Sequence, residues 1–186
     1  MYGMQNTVMY DLQARAAKVS EGEKAVKKAI EILQKVQIAV GGVFLLIFLV
    51  TVVFQMFSRY VGIVATWTED VSMYSFIWAV FMGAGAMVYE KRHFAFTSVS
   101  DMLKNPKAKS VIALIISVVM LIFAVLMAYY GVLVAKQFWN YTWVTIPSFK
   151  RGPTWLCLPI CGVTSAIYLV MQIIEEIGNL AKGGNN

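Results

Sequence analysis

What this chain has little of narrows what it can be. Of its 186 residues, one is histidine, two are cysteine, four are proline and only 14% are charged, while 59% are hydrophobic. An average soluble domain is about 25% charged, so too few charges are present to coat a soluble core of this size. The composition excludes a disordered chain and argues against an ordinary soluble enzyme. With His93 as the single histidine, a bis-histidine haem or a histidine-rich metal centre is not available within the chain. Cys157 and Cys161 lie four apart on an apolar run with no second pair nearby; they lack the partners of a zinc site and read as small packing residues rather than a redox pair. Neither a GxxxxGK[ST] nor a GxGxxG phosphate loop occurs. No cofactor and no bound metal are expected.

The few charges are spaced. Lys35 and Arg59 bracket 23 uncharged residues, Asp70 and Glu90 bracket 19, Lys109 and Lys136 bracket 26, and Arg151 and Glu175 bracket 23. About 20 helical residues cross a hydrocarbon core of roughly 30 Å, and a helix satisfies its own backbone in lipid. A membrane β-barrel would need alternating segments of about 10 residues. The expected fold is therefore an all-α integral membrane protein with four transmembrane helices, at 36–58, 71–89, 110–135 and 152–174. These form a transmembrane domain, 36–174, between a segment 1–35 and a tail 175–186. The first run follows 35 mixed residues, unlike a cleavable signal peptide.

Lys and Arg favour the cytoplasmic side. Four spans place twelve of the sixteen on the side of the termini and four on the other, so both termini are expected in the cytoplasm. Topology thus accounts for most of the net charge of +6, and no basic cluster is left for a nucleic-acid partner. Trp67, Trp139, Tyr141, Trp143 and Trp155 fall on the outer side, where amphipathic rings settle at the headgroups. Segment 137–149 is expected to lie along that interface. Pro153 suits the first turn of the fourth helix, and Pro159 is expected to bend it. Val26, Ile30, Leu33 and Val36 form one apolar stripe beside Lys24, Lys27, Lys28, Glu31 and Lys35, the pattern of an amphipathic interfacial helix lying on lipid or docking a partner.

Within the four runs there is no Asp, Glu, Lys, Arg or His. Ionisable residues inside a membrane mark proton relays and ion paths, and carriers want polar or broken helices at the midplane. Their absence points to a helper subunit rather than an autonomous pump. Polar information concentrates between Arg59 and His93. Arg59 ends the first span, while Glu69 and Asp70 open the second, where the helix dipole favours them; a short hairpin would let Arg59 meet one of them. Ser72, Ser75, Ala79, Gly83 and Ala86 make a small-residue stripe for close packing, internal or against another subunit. Trp78, mid-span, needs a partner for its indole N–H.

Arg59–Tyr60 closing span one, Trp67-x-Glu69-Asp70 opening span two, Trp78 followed by Gly83, and a basic loop with His93 resemble the small membrane subunit of tripartite ATP-independent periplasmic (TRAP) transporters. The likeness covers roughly residues 37–174 and extends weakly to Ile146–Pro147. Asp70 stands where that family usually has Glu, and the loop after His93 lacks its usual short His-to-Asp spacing. The resemblance implies a non-catalytic subunit of the bacterial inner membrane that braces a large multi-span subunit carrying substrate and sodium. A periplasmic solute-binding protein would deliver an organic acid anion. A membrane anchor of a redox enzyme is the alternative, and the single His93 weighs against its haem. A lipid-modifying enzyme using Glu69, Asp70 and His93 is a third, disfavoured because topology puts His93 on the opposite side from the carboxylates.

Overall fold

The computed structural model describes residues 2–90 and 106–181. In chain order these form α1 (Tyr2–Val61), α2 (Trp67–Tyr89), α3 (Pro106–Gln137), a 3₁₀ turn (Gly152–Leu156) and α4 (Cys157–Ala181). Each of the four uncharged runs falls on one of these helical stretches, and all four stretches are long and apolar enough to cross a membrane. The described residues contain no strand beyond an isolated antiparallel bridge between Thr142 and Lys150.

The chain divides into two compact units, 1–36 and 37–186. In the first, the Lys35 ammonium donates to the Glu31 carboxylate one turn away at 2.7 Å, with both side chains exposed. An exposed pair of this kind contributes only about 0.3–0.5 kcal/mol. The helical assignment of α1 covers residue 35, so secondary structure marks no boundary there.

The second unit is organised around α4. Cys157, Cys161, Ser165, Tyr168 and Leu169 are each 4% exposed or less, and their spacing draws one stripe along the helix. This places both cysteines among the packing residues. Small residues let α3 come close: a Cβ added at Gly162 would stand 2.5 Å from the Ala128 backbone nitrogen and 2.8 Å from the Ala124 carbonyl oxygen. One turn away along the crossing, a Cβ at Gly131 would stand 2.8 Å from the Pro159 nitrogen. Without a hydrophobic force between helices in lipid, contact of this closeness is what holds them.

The expected bend at Pro159 is corrected by its position. Pro159 is the third residue of α4, where the backbone N–H has no intrahelical partner to lose. The irregularity lies earlier, in the 3₁₀ turn that carries Pro153 near its start. Helix α1 ends at Gly62, whose φ of 77° needs a residue without a side chain. Ile63 N–H bonds the Ser58 carbonyl at 2.9 Å and Gly62 N–H the Arg59 carbonyl at 3.3 Å, the paired closure of a Schellman cap. Four residues later α2 begins, so the two helices form a hairpin.

Candidate functional site

Polar contacts gather at the two ends of the bundle. At the hairpin end, the loop between α3 and the 3₁₀ turn folds back on itself: Trp143 N–H donates to the Phe149 carbonyl at 2.9 Å and Arg151 N–H to the Tyr141 carbonyl at 2.7 Å. Asp70, 7% exposed, holds this loop to α2. Its Oδ2 accepts the Thr145 backbone N–H at 2.8 Å and the Thr145 hydroxyl at 2.7 Å. Bonds to an ionised acceptor are about twice as strong as neutral ones. One turn along α2, the Tyr74 ring lies 4.8 Å from that of Trp143, and Trp143 Nε1 donates to the Thr154 hydroxyl at 3.2 Å. Trp143 is half-buried and packed against the loop and α2. Trp139 and Tyr141 stay exposed. Arg151 Nε and Trp155 Nε1 are buried without a hydrogen-bond partner.

Asp70 is thus engaged by Thr145, and no ion pair joins Arg59 to Asp70 or Glu69. Arg59 and Glu69 are both exposed and line one cavity of about 380 Å³ beneath the hairpin, together with Gln55, Ser58 and Thr66. Beside it the Trp67 ring lies against Phe54, with centroids 5.5 Å apart. Deeper in the span, Trp78 stacks on Phe44 at 5.0 Å.

The small-residue stripe of α2 is used unevenly. Ser75 and Ala86 are buried, whereas Ser72, Ala79 and Gly83 are half-buried. Helix α1 approaches through Gly41, where an added Cβ would stand 3.5 Å from both the Ala79 carbonyl oxygen and the Gly83 nitrogen. A Cβ on Gly83 itself would meet nothing within 4 Å. The tight position is Gly85, where a side chain would run into the Gln37 amide and the Cys161 sulfur.

Gln37 leads to a cluster at the opposite end. The Tyr168 hydroxyl donates to Gln37 Oε1 at 3.0 Å, and Gln37 Nε2 donates to the Thr164 hydroxyl at 3.1 Å. Thr164 in turn donates to the Ile160 carbonyl at 2.9 Å. Gln172 Nε2 donates to the Val88 carbonyl at 2.7 Å, adding to the Glu90 backbone N–H that already caps this last turn of α2. The sequence alone did not single out Gln37, Thr164, Tyr168 or Gln172. The available signal was that an amide in an apolar run must find a partner. His93 lies outside the described residues.

Chemically, Gln37, Thr164 and Tyr168 at one end and Asp70 and Thr145 at the other are spent on one another. Among the described residues no three His, Cys, Asp or Glu side chains group together as metal ligands. Four membrane-length helices packed through small residues, with polar clasps at both ends, define an integral membrane protein of the helical class. Residues 48–179 match the family described as tripartite ATP-independent periplasmic transporters, DctQ component. The chain belongs to that family, the small membrane components of TRAP transporters, which work with a large membrane subunit and a binding protein. Comparison with curated proteins finds no match.

Proposed function

We propose that the chain is the non-catalytic scaffold subunit of a sodium-coupled TRAP importer for an organic acid anion. It sits in the bacterial inner membrane with both termini in the cytoplasm and the hairpin end facing the periplasm. It supports a large multi-span subunit that carries solute and sodium, and the solute-binding protein docks from the periplasmic side. Residues 1–35 form an interfacial helix, 36–174 the membrane domain and 175–186 the tail. Arg59, Glu69 and Asp70 shape the periplasmic end, and His93 with its basic loop the cytoplasmic one.

The observation that carries this reading is how the polar groups in the spans are used. Gln37, Thr164 and Tyr168 bond one another, and no Asp, Glu, Lys, Arg or His lies within the four uncharged runs. That leaves nothing aimed at a transported ion, whereas α1 and α3 present exposed apolar side chains such as Leu46, Val50, Phe57, Val119 and Phe123. The experiment is solute uptake into proteoliposomes under a sodium gradient. The chain with the large subunit and the binding protein should import, and the chain alone should not. Uptake by the chain alone would contradict the proposal.

A further inference from the structure

The cavity beneath the α1–α2 hairpin has a charge pattern that the packing leaves unused. Arg59 and Glu69 face the same space of about 380 Å³, yet no ion pair joins them. Its volume falls in the range of small-ligand sites, about 300–1,000 Å³. Gln55, Ser58 and Thr66 add hydrogen-bonding groups, and Ile63 and Val64 supply an apolar edge. The surroundings fit a position at the membrane boundary. It opens where a membrane-length helix ends, and Tyr60, Ile63 and Val64 there are 90%, 60% and 85% exposed. Side chains this apolar and this exposed suit the level where acyl chains meet headgroups.

A guanidinium and a carboxylate that line one cavity without pairing complement a molecule that carries an anion and a cation a few bonds apart. The geometry points to a site for a zwitterionic phospholipid headgroup, phosphatidylethanolamine, in the cavity between Arg59 and Glu69. The phosphate oxygens accept the forked N–H groups of Arg59, which match them in geometry and charge. The ethanolamine ammonium donates to the Glu69 carboxylate. The glycerol backbone leaves along Ile63 and Val64 toward the acyl region. Phosphatidylglycerol offers the phosphate but no cation for Glu69. Phosphatidylcholine offers a cation without N–H donors.

Native mass spectrometry of the full chain in detergent, with the three lipids at matched acyl composition, tests this. Phosphatidylethanolamine should be retained about tenfold better than phosphatidylglycerol, equivalent to about 1.4 kcal/mol, and better than phosphatidylcholine. Glu69→Gln should abolish the preference over phosphatidylglycerol while leaving phosphatidylglycerol binding intact. Arg59→Gln should weaken retention of all three, and Arg59→Lys should restore most of it. Both residues are exposed, so these variants should keep wild-type helical content. Soluble phosphoethanolamine should fail to displace the bound lipid. Equal retention of ethanolamine and glycerol lipids, or a preference untouched by Glu69→Gln, would overturn the site. Displacement by phosphoethanolamine at equal concentration would overturn its assignment to lipid in favour of a soluble zwitterion.

Discussion

Helices α3 and α4 are both apolar enough to span a membrane, but the chain uses them in opposite ways. Half of the spanning window of α4 is buried inside the protein, against 11% for α3. Helix α4 carries small residues, hydroxyls, cysteines and an amide on its inner side; α3 buries only a narrow line that includes Ser117, Ala124, Gly131 and Ala135 and turns bulky residues such as Val119, Ile122 and Phe123 outward. In water the greasier helix would be the core helix. In lipid, apolar surface gains nothing by leaving the solvent, so close backbone packing and polar clasps select the core. The bulky apolar side chains are left for lipid or another protein.

That contrast can be broken by substitution, and the largest effect belongs to the helix crossing. Gly162→Leu pushes a side chain into the α3 backbone, and overpacking against backbone should cost about 3 kcal/mol or more. The matched change on the outward face, Phe123→Ala, should alter stability by no more than about 0.5 kcal/mol. Thermal midpoints in the same detergent compare the two, and similar losses would remove the distinction. Gly85→Val drives into the Gln37 amide and Cys161 and should cost about 1–3 kcal/mol, whereas Gly83→Val, where a Cβ meets nothing, should be far milder.

Next comes the clasp at the hairpin end. Asp70→Ala leaves the Thr145 N–H and hydroxyl without their acceptor, a loss of about 1–3 kcal/mol. Amide exchange should quicken across 141–151 and stay unchanged around Gln37, which separates loop release from general unfolding. Of the two polar clasps, the smaller effect is expected from Gln37→Leu. Thr164 keeps its bond to the Ile160 carbonyl, so only the Tyr168 hydroxyl is stranded. Interhelical hydrogen bonds within membranes average about 0.6 kcal/mol, a shift that denaturant titration should resolve. An effect larger than that of Asp70→Ala would mean that the interior cluster, rather than the loop, governs stability.

These residues also show how far the sequence could be read. The four spans were visible because a charge is costly in hydrocarbon and so is confined to span ends, as Lys35, Arg59, Asp70 and Glu90 illustrate. The TRAP resemblance was visible because Arg59, Trp67, Glu69, Trp78 and Gly83 keep their order and spacing. Partner choice was not. Asp70 bonds Thr145 across 75 residues of sequence, and only the folded loop brings them together, so the sequence left open what Asp70 and Arg59 each meet. A run of small residues gives a stripe but not its rotational setting against a neighbour, which is why Gly83 stood out in sequence and Gly85 is the crowded position. Pro159 was read as an interior proline because the start of α4 was placed at residue 152, before the 3₁₀ turn.

The central claim is that this chain acts through the surfaces it exposes. The most direct measurement is pull-down of the full chain, tagged and co-expressed with a large TRAP membrane subunit from the same organism, using a photo-crosslinking residue placed in turn along α1, α3 and α4. The account predicts a stable complex, with crosslinks to the large subunit from exposed positions such as Val50 or Phe123 and none from Cys161 or Leu169 in the core. A chain that purifies alone under mild detergent and crosslinks to no membrane protein from any exposed position would contradict it.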